Sequence, residues 1–83
     1  MGPKLEQQLV GALRELVGLG GLGHLQDIRF GAFGTTKRRV LGGYDVQDIA
    51  DELIKRGFVR KSGKDNYFIT DGGRDAIVKA DRA

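Results

Sequence analysis

The chain contains no cysteine, and only one histidine and one proline occur among its 83 residues. Without cysteine there are no disulfides, thiolate zinc sites or cysteine nucleophiles, a usage that suits a reducing compartment. The lone His24 has no second histidine or cysteine to complete a metal site, so it is read as a helix-start or surface residue. Serine is as scarce: Ser62 is the single one, and it falls in a predicted turn. No nucleophile–base pair can be assembled from this set, so neither catalysis nor a metal or cofactor is expected. Asp45, Asp48, Asp51 and Glu52 are close enough in sequence to suggest a magnesium cluster. However, Asp45 is a natural helix N-cap and the other three are ordinary solvent-face residues. Long apolar runs are missing too. Nothing approaches the roughly 20 residues that span a bilayer, and the N-terminus lacks a charged-then-apolar signal. The expectation is a soluble protein of the cytoplasm, with no membrane contact.

What is present is a globular balance, 40% hydrophobic and 30% charged, in a length that suits one domain over residues 1–83. A core this small is modest, so a second copy of the chain or a larger complex is an expected source of extra stability. The net charge is +3 and is unevenly spread. Residues 1–35 carry three cations against three anions, and residues 65–83 carry three against four. Residues 36–64 hold eight cations against four anions. A cationic excess confined to one third of the chain points to a polyanion, most often nucleic acid, or else to solvated charge that serves solubility.

Asp45 to Thr70 organises the rest. Val46, Ile49, Ala50, Leu53 and Ile54 recur at spacings of three and four and predict one buried helical face. Lys55, Arg56 and Gly57 suit a cationic last turn and a left-handed C-cap. Phe58–Lys61 and Asn66–Thr70 are rich in aromatic and β-branched residues, and the turn chemistry of Ser62-Gly63-Lys64-Asp65 between them predicts a hairpin. Earlier in the chain, Pro3 suits the first position of a helix, and Leu5, Leu9, Ala12, Leu13, Leu16 and Val17 give it an apolar stripe that ends near Gly18. Gly11 within it permits a close helix crossing. Gly18 to Gly23 spell the letters of a GxGxxG phosphate loop, but a helix precedes them where a strand is required. They are read as a flexible turn with Leu19 and Leu22 turned inward. Leu25, Ile28 and Phe33 predict a short helix bounded by Gly31 and Gly34, with Phe30 on an adjacent face. After the hairpin, Thr70 or Asp71 caps a last helix whose apolar face is Ala76, Ile77 and Ala80, packed on the first helix or on a partner.

Leu53-Ile54-Lys55-Arg56-Gly57-Phe58-Val59-Arg60, followed by Asp65-Asn66-Tyr67-Phe68-Ile69-Thr70-Asp71-Gly72-Gly73-Arg74, resembles the second half of winged-helix transcription regulators. The resemblance implies an α+β winged helix-turn-helix fold: three helices, a β-hairpin wing and a short C-terminal helix. It implies DNA binding and transcription regulation as the function. Ribosomal proteins and protein-binding adaptors with winged helices end in much the same way, so the fold leaves function open.

The expected phosphate contacts are the run Thr35, Thr36, Lys37, Arg38 and Arg39 together with the wing residues Arg60, Lys61 and Lys64. Threonine offers neutral hydrogen bonds, and arginine a bidentate fork. Thr35 or Thr36 also suits the N-cap of a short helix over Lys37–Leu41. The loop and the wing are expected to converge on one surface. The third helix would leave Gln47, Asp48, Asp51, Glu52 and Lys55 outside, and carboxylates facing phosphates repel. Two readings follow. Either DNA or RNA is held by the basic loop and wing with the acidic face turned away, or Asp48, Asp51 and Glu52 form a surface for a protein partner. RNA binding on a ribosome-like particle is a further alternative. Tyr67 is read either as a stacking residue or as a wing scaffold.

Overall fold

The computed structural model describes residues 3–34 and 45–82. Four helices and three short strands follow one another as α1 (Pro3–Gly18), β1 (Leu22–Gly23), α2 (Leu25–Phe33), α3 (Val46–Lys55), β2 (Val59–Ser62), β3 (Asn66–Ile69) and α4 (Asp71–Arg82). The strands form one antiparallel sheet in the order β1-β3-β2. The result is an α+β layout of four helices on a small three-stranded sheet, compatible with a winged-helix arrangement.

The apolar stripe of α1 is the spine of the core. Leu9, Ala12, Leu13 and Leu16 are fully buried, and they meet Ile28 from α2, Ile49, Ala50 and Leu53 from α3, and Val59 and Tyr67 from the hairpin. Two stripe members predicted to be inside lie at its margin instead: Val17 and Ile54 are each 38% exposed. A stripe computed at 3.6 residues per turn defines a direction, while its width depends on what packs against it.

Helix α2 does not stop at Gly31 as expected but runs through it to Phe33, with Gly34 as the C-cap. Gly31 is instead a contact point with Gly11 of α1. A Cβ added at Gly31 would lie 2.5 Å from the Gly11 carbonyl oxygen and 2.8 Å from the Ala12 Cα. The missing side chains let the two helix backbones touch, which fits the close crossing expected at Gly11.

The segment Gly18–Gly23, expected to be a flexible turn, is ordered by hydrogen bonds. The Gly21 amide donates to the Leu16 carbonyl (2.7 Å) and the Gly20 amide to the Val17 carbonyl (3.0 Å). This paired closure uses two glycines at positive φ, 88° and 97°, and is a Schellman termination of α1. It delivers Leu22 and Gly23 to the sheet as β1, opposite Phe68 and Tyr67. Gly23 lies beneath Leu16, where a Cβ would come within 2.6 Å of the leucine methyl. Alternation along the strand then turns Leu22 outward. Leu19 and Leu22 are therefore 47% and 41% exposed, not inward as expected.

Helix α3 starts and stops where its residues direct. Asp45 accepts from the Asp48 amide (3.0 Å) while Asp48 accepts from the Asp45 amide (3.0 Å), a reciprocal capping box. At the other end the Gly57 amide donates to Ile54 and the Phe58 amide to Leu53, so the chain leaves directly into β2. Thr70, not Asp71, caps α4: its hydroxyl accepts from the Gly73 amide (3.1 Å) and donates to the Gly57 carbonyl (2.6 Å). One threonine thereby ties the start of α4 to the end of α3. Helix α4 packs on α1, with Ala76 and Ile77 against the core and an Arg14–Asp81 ion pair between the two helices.

Candidate nucleic-acid interface

The β2–β3 hairpin is anchored by its inward side chains. Val59 and Tyr67 are 2% and 1% exposed, which makes Tyr67 a scaffold residue and removes its ring from any stacking role. The cross-strand pairs are Val59 with Ile69, Arg60 with Phe68, Lys61 with Tyr67, and Ser62 with Asn66. Because successive side chains alternate between faces, Arg60 and Lys61, adjacent in sequence, lie on opposite faces of the hairpin.

On the inner side, the Lys61 ammonium lies 6.0 Å from the centroid of the Tyr67 ring, within cation–π range. The Tyr67 phenol is held above its ordinary value, first by burial and then by the negative charges of Asp65 and Asp51, with a hydrogen bond from Gln47 opposing them. Asp51 and Gln47 belong to α3, so the acidic outer surface of that helix and Lys61 occupy the same side of the molecule. On the outer side, Arg60 stands beside Phe68, and Phe68 beside Leu22 of β1. Lys64 is exposed in the turn between the strands.

The exposed surface of α3 is acidic, as its sequence implies, and each carboxylate has a local partner. Asp48 serves the capping box, and Asp51 accepts from the Gln47 side-chain amide at 2.9 Å. Glu52 pairs with Arg56 at 2.7 Å, and Arg56 also pairs with Glu6 of α1 at 2.8 Å. The Glu52 hydrogen bond is the main cause that raises the Arg56 pKa, with burial opposing it. Of the three acidic residues proposed for a protein contact, Asp48 and Asp51 are open to solvent, while Glu52 is partly buried and tied to Arg56.

Among the described residues, the cations in ion pairs are Arg14, Arg56 and Lys79. Arg60, Lys61 and Lys64 are not among them. Thr35, Thr36, Lys37, Arg38 and Arg39, with the helix expected over Lys37–Leu41, lie outside the described residues. Among those that are described, no three His, Asp or Glu side chains are grouped to hold a metal ion, and no helix is long and apolar enough to cross a membrane.

The sequence places the cations on the hairpin without separating its faces, and it gives no sign that Leu22 is external. Strand alternation makes one of Tyr67 and Phe68 external without saying which, and the burial of Tyr67 in the structure selects Phe68, which is 41% exposed. Comparison with protein-family models, curated proteins and solved structures found no match to this chain.

Proposed function

We propose that the chain is a winged helix-turn-helix nucleic-acid-binding protein, directed to duplex DNA and held mainly through phosphates, with transcription regulation as its cellular role. The order helix, strand, helix, helix, hairpin, helix supports the fold, with α2–α3 as the helix pair and β2–β3 as the wing. The observation that carries the function is the wing itself. A hairpin fixed in the core by Val59 and Tyr67 presents three cations against one anion, Asp65, and none of the three is spent on an ion pair among the described residues. Arg60 on the outer face and Lys64 at the tip are the principal phosphate contacts. Lys61 contributes less, because Asp51 of α3 lies on its side of the hairpin. The run Thr35–Arg39 supplies the remaining positive charge. The carboxylates on α3 keep that helix out of the major groove, so sequence readout is weak.

Each phosphate contact contributes a slope of about −0.9 to log K against log salt on duplex DNA. Replacing Arg60 and Lys64 by glutamine is expected to flatten that slope by about 2, and Lys61→Gln by less. No binding to random duplex at low salt, or an unchanged slope in the double variant, would reject this reading. A second reading has its own observation, the solvent-facing Asp48 and Asp51 on α3: a protein partner with a basic surface docks there. A partner complex lost with Asp51→Lys but kept with Arg60→Gln would favour it.

A further inference from the structure

The outer face of the sheet carries a row of three side chains from three different strands: Leu22 on β1, Phe68 on β3 and Arg60 on β2. We propose that this row is a stacking platform for an unpaired nucleotide, with the base on Phe68 and the adjoining phosphate on Arg60. The proposal rests on the nucleic-acid reading and specifies which form of nucleic acid the wing selects.

Size decides against a protein partner for this row. Phe68 and Leu22 are each 41% exposed, which leaves roughly 60–100 Å² of the aromatic side chain open and less of the smaller leucine. A stable protein interface takes about 800 Å² from each partner, and ordinary monomers already show apolar patches of about 300–600 Å². The row is therefore far too small for a protein, yet it matches one flat ring laid on another. Its surroundings are polar in a way that fits a nucleotide. Next along the same face towards the turn stand the Ser62 hydroxyl and the Asn66 amide, cross-strand partners, which can meet the polar edge of a base. Of the nearby carboxylates, Asp65 stands in the turn, and Asp71, the first residue of α4, lines the same surface hollow as Arg60 and Phe68.

Geometry favours an unpaired base over a paired one. In a duplex the base faces are covered by their neighbours, so a ring on a rigid sheet can stack only on a terminal or extruded base. Phe68 sits on the central strand of the sheet, paired on both sides, and its neighbour Tyr67 is locked in the core. The backbone that carries the ring is thus held in place before the ligand arrives, which limits the ordering cost of stacking.

The test compares a covalently closed duplex minicircle, which has no terminal base, with the same circle carrying a short single-stranded gap, containing 2-aminopurine at its first unpaired position, by titration at fixed salt. The wild-type protein should bind the gapped circle more tightly and quench the 2-aminopurine. Phe68→Ala should abolish the preference, an effect of about 5- to 160-fold, and leave affinity for the closed circle unchanged. Phe68→Trp should retain both preference and quenching, which shows that an aromatic face is what is needed. Arg60→Gln should weaken both ligands. Equal wild-type affinity for the two circles, or a preference that survives in Phe68→Ala, overturns the platform while leaving duplex binding intact. Failure to bind either circle overturns the nucleic-acid reading as well.

Discussion

The contact between α1 and α2 yields a sharp test of how this small domain is packed. Alanine in place of Gly31 raises helix propensity by about 1 kcal/mol, so in a solvent-exposed helix it would stabilise. Here the new Cβ would lie 2.5 Å from the Gly11 oxygen, 2.8 Å from the Ala12 Cα and 2.8 Å from the Glu15 Cβ. Two of those atoms are backbone, and the third is the first atom of a side chain, so no rotamer change relieves the overlap. The helices must move apart by about an ångström, opening contacts along the buried stripe of Ala12, Leu16 and Ile28. Overpacking of this kind costs about 1–3 kcal/mol. With the obstruction in backbone, the upper part of that range applies, and the steric term outweighs propensity by about 2 kcal/mol. In a domain of this size a loss of that order lowers Tm by about 10 °C. Gly18→Ala is the matched control. Gly18 is also helical, and a Cβ there meets nothing within 4 Å, so it should gain about 0.5–1 kcal/mol. Thermal and urea unfolding of the two variants side by side read both signs. If Gly31→Ala were as stable as the wild type while Gly18→Ala gained as expected, the α1–α2 backbone contact would be refuted.

Two other predictions follow from single side chains. Thr70→Ala removes the cap of α4 and the hydrogen bond to Gly57, and should lose about 1–2 kcal/mol in urea melts; Thr70→Ser, which keeps both bonds, should lose far less. For Tyr67, burial and the nearby Asp65 and Asp51 raise the phenol above its ordinary value of 10.0. The folded state therefore binds this proton more tightly than the unfolded chain. The corresponding stability is fully present below pH 10 and is lost as pH rises through the folded value. Phenolate absorbance should show Tyr67 ionising only above the ordinary range, and Tyr67→Phe should reduce the alkaline loss of stability. An ordinary titration for this residue would mean that its hydroxyl is open to water.

Much of this architecture is legible along the chain because local rules and tertiary packing agree there. The stripe from Leu5 to Leu16 needs one buried face, and the fold supplies it. Asp45 and Asp48 cap α3 from within the segment, and Gly57 ends it because the following turn needs a positive φ, observed at 77°. The hairpin follows from alternating aromatic and β-branched residues on either side of Ser62–Asp65. For the candidate site, the presence of cations on the hairpin was equally plain.

The remainder depends on neighbours that are distant in sequence. A two-residue strand such as Leu22–Gly23 has no pattern of its own and exists only because Tyr67 and Phe68 pair with it. The same pairing decides that Leu22 faces solvent. Gly31 looks like a helix stop until Gly11 is placed against it. Period-two alternation says that Tyr67 and Phe68, like Lys61 and Arg60, point in opposite directions; it is silent on which direction is inward. That choice was made when the Tyr67 ring entered the core between α3 and the sheet, and it set Arg60 beside Phe68 on the outside. Local residue chemistry thus determined α1, α3, the hairpin and α4, whereas tertiary packing decided β1, the end of α2 and which side chains are left to meet a ligand.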